Sequence, residues 1–349
     1  MKLTPGELYF AGEEDPLDGT LTSLVKIGIV HETEGRPRTA EDRLAEHQTG
    51  NPRRLRLLHV QPSPVVERVE TLLHTEFAPR RIGGEWFHLP GGDLAMVMER
   101  ATGHVNEATT NGPALQVAQE LEATTSNGQS LTPDAATLEL HRRLLDVRKQ
   151  LSKAKEAEKQ LEAALRKAAV DAAEGSPYVT EVFRAPSRTF DKDAFTAAHP
   201  DLAALYTIEK HTIRRKFELS GLKSHVPDIP EDNPALSRHL ADVLNSIKVG
   251  NAASVLHRQY LELLALRGPL DWERELLEAS LQAACQRYGK IAGVCTWNRT
   301  SVTNLALDST TLKAERPDIH ERFLREGRRT RAIVVAKDLG YRLPGSNDL

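Results

Sequence analysis

The chain is short of most features that would mark it quickly. It holds only two cysteines in 349 residues, Cys285 and Cys295. Their spacing fits no metal or redox motif and the expected cytosolic setting argues against a disulfide, so both are expected as small, buried apolar residues. No apolar run approaches the ~20 residues that a membrane span requires. The opening residues, Met1-Lys2-Leu3-Thr4-Pro5-Gly6, lack the apolar core of a secretory leader. A cytoplasmic chain with no membrane partner is expected. Excess charge is also lacking: the formal net is −3. That excludes a nonspecific basic coat for nucleic acid but not a local basic surface. Basic residues cluster at Lys210, Arg214, Arg215 and Lys216, and again at Arg322, Arg325, Arg328, Arg329 and Arg331. The remainder is ordinary for a globular protein, 40% hydrophobic and 27% charged, at a length that predicts two or three domains.

Residues 1–102 predict a small α+β domain, a short antiparallel sheet flanked by helices. Leu8-Tyr9-Phe10 and Leu24-Val25-Lys26-Ile27 flank an acidic Gly- and Pro-containing loop, the pattern of a β-hairpin. Thr39 is a fitting N-cap for a helix reaching His47, with Glu41 and Asp42 in its first turn and Gly50 and Pro52 ending it. Leu55 to Val60 reads as a third strand. Pro64 opens a helix from Val65 to Phe77 with Val66, Val69, Leu73 and Phe77 on one face. Gly83 and Gly84 then break the chain before Glu85-Trp86-Phe87.

Residues 103–131, rich in Thr, Asn, Ala, Gly and Ser, read as a flexible linker in which Leu115 to Leu121 can form a turn of helix. Residues 132–174 read as a coiled-coil helix that starts at Thr132-Pro133-Asp134 and stops at Gly175-Ser176-Pro177. Its heptad seam runs Leu140, Leu144, Val147, Leu151, Ala154, Leu161, Leu165, Ala168 and Ala172, interrupted by Glu158. Such a seam can join two copies, fold back as an intramolecular hairpin, or lie as a long helix on its own domain. A homo-oligomer through the coiled coil is the expectation. Residues 178–349 predict a mostly α-helical region for DNA or partner binding, with helices at Ala235 to Lys248, Ala252 to Leu266 and Trp272 to Tyr288. Within it, Phe190 to Tyr206 is echoed by Ser309 to Phe323: a polar helical start, a Pro-Asp step, then an aliphatic and an aromatic residue.

Several reactive side chains follow one another in the first domain. They are Tyr9 in Gly6-Glu-Leu-Tyr9, Lys26 in Lys26-Ile27-Gly28, Arg43 and His47 in "EDRLAEH", Glu70 and His74 in "VERVETLLHTEF", and Glu85 in "GGEWFHL". In this order they resemble the GIY-YIG nuclease superfamily, most closely its phage-borne subgroup typified by a phage T5 reading frame. Lys26 stands where the second signature usually has tyrosine, and Glu85 stands near a common closing asparagine. The resemblance covers under a third of the chain.

It implies a metal-dependent DNA endonuclease. Phosphodiester hydrolysis needs an activated water, charge neutralisation on the phosphoryl oxygens and help for the leaving oxygen. Tyr9 would be the base. Its phenol, near pKa ~10 when unperturbed, needs a cation to lower it, and Lys26 across the hairpin is expected to be that cation; the bland reading is a strand lysine facing solvent. Arg43 and His47, one helical turn apart, would grip the phosphate and relay a proton. Glu70 would hold one Mg²⁺ (or Mn²⁺) per active site, since a single carboxylate suits a cation that keeps its waters. Glu85 competes for that role, and His74 and Glu85 are accessory candidates. Arg322, Arg325, Arg328, Arg329 and Arg331 are expected to contact DNA. Phage defence, restriction and mobile-element biology all suit such a protein. The alternative is a catalytically idle, DNA-associated scaffold that holds protein partners through its coiled coil and helical tail.

Overall fold

Alternation along the first strand sets the N-terminal architecture. In the computed structural model, which describes residues 1–32, 38–49, 51, 53–171, 177–225 and 233–340, β1 (Gly6–Glu14) pairs with both β2 (Leu21–His31) and β3 (Arg54–Ser63). Before β3, α1 (Ala40–Gln48) begins at a capping box: the Thr39 hydroxyl accepts from the Asp42 N–H, and the Thr39 N–H donates to the Asp42 carboxylate. After β3 come α2 (Val66–Glu76), a single 3₁₀ turn at Ala78–Arg80, and the tight hairpin of β4 (Arg81–Gly83) and β5 (Trp86–His88). The result is a five-stranded antiparallel sheet in the order β3-β1-β2-β5-β4. Successive side chains leave a strand on opposite faces. Leu8 and Phe10 therefore enter the core under α2, with Val25, Ile27, Val66, Val69, Leu72, Leu73 and Phe87. Tyr9 and Ala11 face the other way, beneath Ala40 and Leu44 of α1. The helix stops expected at Gly50 and Pro52 lie outside the described residues.

Residues 103–131 are not a linker. Most belong to α3 (Asp93–Thr110) and α4 (Gly112–Leu121), and Val105, Ala108, Leu115 and Ala118 are buried. The small residues that read as linker composition let these helices approach their neighbours closely. A two-residue strand, β6 (Ser130–Leu131), leads into α5 (Ala135–Asp171). The seam of α5 is occupied within the chain. Leu144, Val147, Leu151, Ala154, Leu161 and Leu165 are buried in one cluster with residues of α8 (Pro234–Val249) and α9 (Ala253–Cys285). Cross-links from Arg148–Glu278 through Glu158–Arg267 to Glu162–Tyr260 run the two long helices antiparallel. Glu158, the break in the seam, is thus paired with a cation. Within the chain, the seam is packed on α8 and α9. Seam residue Ala172 and the stop at Gly175-Ser176 lie outside the described residues.

Two helices expected from Ala252 to Tyr288 form the single α9, which runs through Pro269. Gly268 sits where α2 crosses: a Cβ there would lie 3.4 Å from Leu72 Cδ1 and 3.5 Å from Thr75 Cγ2. The N-terminal unit is therefore seated on α9, and Arg68–Glu275 (2.8 Å) and the Trp272 indole donating to Glu107 (2.7 Å) hold it there.

The C-terminal region is not mostly helical. β7 (Val179–Arg184), β8 (Arg188–Phe190), α6 (Lys192–Ala198) and α7 (Pro200–Leu205) lead into the 13-residue β9 (Thr207–Leu219). After α9 and the short β10 (Lys290–Ile291), β11 (Cys295–Leu307) pairs antiparallel with β9 along its whole length. Then α10 (Ser309–Glu315), α11 (Pro317–Arg322), β12 (Leu324–Glu326) and β13 (Thr330–Val335) pair back onto β8 and β7. The echo in the sequence is a structural duplication. Asp191 caps α6 and Asp308 caps α10. His199 (φ −136°, ψ 63°) and Arg316 (φ −134°, ψ 61°) make the same step into the second helix of each pair. Both pairs share one small core of Phe195, Ala203, Tyr206 and Leu312 at the far end of the β9–β11 ribbon. No helix among the described residues is long and apolar enough to cross a membrane.

Candidate active site

β1 sets the position of Tyr9, and the residue opposite makes room for its ring. Tyr9 pairs with Gly28, and a Cβ built on Gly28 would stand 2.6 Å from the Tyr9 hydroxyl. The phenol lies across the bare backbone of β2, 1% exposed. Lys26 is two residues further along β2, opposite Ala11, on the same face of the sheet. It does not tune Tyr9. The buried Lys26 ammonium is ion-paired with Glu85, which the β4–β5 turn places beside β2. The Ile27 N–H donates to the Glu85 carbonyl at 3.0 Å, fixing that turn. The cation that favours the phenolate is Arg43, through charge and hydrogen bonding; it is overridden by burial and then by Glu85, so the Tyr9 pKa is pushed up to about 12. The expected Tyr9–Lys26 pair fails on register: a hairpin fixes which residues face each other, and the residue facing Tyr9 is glycine.

Arg43 and His47 lie on α1, one turn apart. Arg43 also bonds Glu46 at 2.9 Å. His47 is held below its usual range by burial and then by the charges of Lys26 and Arg43, which favours the neutral imidazole, and its buried Nε2 has no hydrogen-bond partner among the described residues.

α2 carries Glu70 and, one turn on, His74. Burial first, and the negative charge of Glu85 second, raise the Glu70 pKa to about 7, against the opposing pull of Lys26 and Arg81. Glu85 goes the other way. Burial works to raise it, but the hydrogen bond and charge of Lys26, with His74 and His47, leave it below the usual range. His74 is lowered to about 4, chiefly by burial and then by Arg81. Its Nε2 meets the Ile27 carbonyl at 3.1 Å. A carbonyl only accepts, so Nε2 carries the hydrogen and Nδ1 keeps its lone pair. His74 also leans on Phe87, with ring centroids 5.3 Å apart, and so braces β2 against α2.

Tyr9, Lys26, Arg43, His47, Glu70, His74 and Glu85 are thus linked by contact or by field around β2, α1, α2 and the β4–β5 turn. The sequence reading omitted Arg81. Burial lowers its pKa most, while Asp338, Glu85 and Glu70 act to raise it. It stands between the acidic side of the site and the C-terminal segment, whose Leu339 N–H donates to the Arg81 carbonyl at 2.7 Å. Only the arginine preceding the Gly83-Gly84 turn could have signalled it.

Among the described residues, no cluster of three or more His, Cys, Asp or Glu is placed to hold a metal ion. The donor set is one half-buried carboxylate, Glu70, whose pKa is raised first by burial and then by the neighbouring Glu85. That fits a hard, largely hydrated cation rather than zinc.

The arginines of the C-terminal cluster lie on and around β12 and β13, all exposed. Arg325 is ion-paired with Asp191 and Arg331 with Glu181, while Arg329 lies over the Phe183 ring at 5.8 Å. The cluster offers less free charge than its count suggests. Cys285 and Cys295 are buried as expected, and their sulfurs are 3.8 Å apart.

Comparison with known families matches residues 8–102 to the T5orf172 domain. The match takes in Tyr9, Lys26, Arg43, His47, Glu70, His74, Arg81 and Glu85. No match was found among curated proteins or among solved structures.

Proposed function

We propose that the unit spanning residues 8–102 is a GIY-YIG-type phosphodiester hydrolase and that the protein is a metal-dependent DNA endonuclease. One observation carries this reading. Two strands, two helices and a tight turn bring a buried phenol, two cations, an imidazole and a pair of carboxylates, one of raised pKa, to one locus, within a span that matches the T5orf172 domain. A fold has no structural need for a carboxylate titrating near 7 beside a second one, and such perturbed groups gather at functional sites.

The residues divide the work by their charge states. Arg43 can fork two non-bridging phosphate oxygens. Glu70, with the support of Glu85, is the site for one Mg²⁺ or Mn²⁺, which would supply positive charge against the phosphoryl and leaving oxygens. Lys26 holds Glu85 ionised beside Glu70. Tyr9 is the base by family resemblance, but its phenol is neutral in the resting site and makes hydrogen bonds until its proton leaves. His47, neutral with Nε2 unengaged, is the group able to accept a proton at pH 7. The pH dependence of cleavage separates the two.

The test is supercoiled plasmid nicking by the full chain with Mg²⁺ and with chelator, alongside Tyr9→Phe and Glu70→Gln. Nicking that needs metal and is lost in both variants supports the reading. Wild-type nicking that persists in chelator, or survives Glu70→Gln at limiting Mg²⁺, would sink it in favour of a catalytically idle scaffold or a contaminant.

A further inference from the structure

The β9–β11 ribbon has two unlike faces. Residues directly opposite in an antiparallel pair share a face. One face carries Phe217 with Trp297 and Arg215 with Arg299. At the base of the ribbon this face meets the helical body: Trp297 and Arg299 are buried, Phe217 lies under Arg148 at 5.5 Å, and Arg215 is ion-paired with Glu122. Its cations are therefore engaged inside the molecule.

The opposite face carries Lys210, Thr212, Arg214 and Lys216 on β9, with Thr300 and Asn304 opposite on β11. All six are exposed. The one carboxylate on this face is Glu218 at the base, 2.9 Å from Lys216. Neither Arg214 nor Lys210 has an ion-pair partner among the described residues, and the charge of Lys210 acts on Asp308. The face has three cations with hydrogen-bonding side chains between them, and Asp308 just past the end of β11, in a chain whose net charge is −3.

We propose that this face of the ribbon is the duplex-DNA contact surface of the protein. The reading rests on the nuclease assignment above and gives that site its substrate-holding element. The physical fit is direct. Thirteen residues per strand extend about 43 Å, more than one turn of duplex at ~34 Å. A two-stranded ribbon is one of the two elements that the roughly 12 Å major groove admits. Lys210, Arg214 and Lys216 neutralise phosphates, and Thr212, Thr300 and Asn304 meet base edges or sugar–phosphate oxygens. Lys216 is shared with Glu218, and Arg214 is the cation of this face with no ion pair among the described residues.

The test is equilibrium binding of the full chain to a fluorescent duplex of about 20 base pairs in chelator, over a salt series. The variants are Lys210→Gln/Arg214→Gln/Lys216→Gln and, separately, Thr300→Glu/Asn304→Asp, which adds negative charge to the same face and touches no cation. Circular dichroism and thermal unfolding check that both are folded. Three lost phosphate contacts should weaken binding at least tenfold and reduce the log–log salt slope by about 2–3, and the second variant should weaken binding as well. Unchanged affinity and slope in both folded variants overturns the assignment, as does tighter binding of single strands than of duplex. Hydrolysis of a small activated phosphodiester with Mn²⁺ is run in parallel and should be unchanged in both variants. If wild type fails on that small substrate while the ribbon variants still lose duplex binding, the ribbon assignment stands and the hydrolase reading alone falls.

Discussion

The Tyr9 phenol occupies the volume that a side chain on Gly28 would fill: the Tyr9 hydroxyl is 2.6 Å from where a Cβ of residue 28 would be. The glycine of Lys26-Ile27-Gly28 is thus required by the tyrosine of Gly6-Glu-Leu-Tyr9, and the two motifs are halves of one packing arrangement. Gly28→Ala should cost about 1–3 kcal/mol, as overpacking in a rigid sheet does, and should reduce nicking far more than stability by displacing the phenol. Denaturant unfolding and plasmid nicking measure the two effects. Wild-type nicking by Gly28→Ala would show that the position of Tyr9 does not matter.

Glu70 offers a prediction in which stability and activity move in opposite directions. Its folded pKa, about 7, is raised above its ordinary value of 4.5. A raised pKa means that the folded state prefers the protonated form. The stability it confers is complete below the ordinary value and is lost as pH rises through the folded one. The full shift would be worth about 3 kcal/mol, and screening at a half-buried carboxylate reduces this to about 1–2. In chelator, Glu70→Gln should therefore be more stable than wild type at pH 8, with little difference at pH 5. Added Mg²⁺ should stabilise wild type at pH 8 and leave Glu70→Gln unmoved. Urea unfolding at the two pH values is the measurement, and a variant less stable than wild type at pH 8 would contradict the burial and repulsion argument.

The pH–rate profile discriminates between proton acceptors. If Tyr9 is the base, with its pKa near 12, the rate at saturating Mg²⁺ should rise about tenfold per unit through pH 9, as the phenolate fraction does. If His47 is the acceptor, its depressed pKa makes it fully competent at neutral pH, and the rate should level off by about pH 7. Single-turnover rates with His47→Gln and Tyr9→Phe complete the assignment: the true acceptor is the one whose loss removes the ascending limb.

The sequence disclosed elements wherever one physical signal acted alone. The amphipathic face of Val66, Val69 and Leu73 and the Thr39 cap both read through to the structure. It misled where one composition serves two purposes. Ala108 and Ala118 suit a linker and also suit helices in close contact, and here they are buried. Gly268-Pro269 reads as a helix break, yet a long helix tolerates it because the glycine is the point where α2 crosses. β9 is exposed on both faces over most of its length, so it lacks the alternation that would have announced a strand. At the site, the list of residues was legible but not their partners. Lys26 belongs with Glu85 because of a register that no local pattern encodes, and Arg81 acquires Asp338 from the far end of the chain.

The α5 seam yields a prediction about how the protein holds itself together. Leu161 is fully buried in the cluster that α5 shares with α8 and α9. Leu161→Ala should create a cavity and cost about 2–5 kcal/mol, depending on how far the site collapses. Because the seam is met by the chain's own helix, this loss should appear as a unimolecular destabilisation. The unfolding midpoint should not vary with protein concentration, and light scattering should give the same mass for wild type and variant. A seam joining two copies would behave differently, since a dimer's apparent stability depends on its concentration. A midpoint that climbs with protein concentration in wild type, and a mass that halves in folded Leu161→Ala, would mean that α5 exchanges its partner between chains and that the intramolecular pairing with α9 is not its resting state.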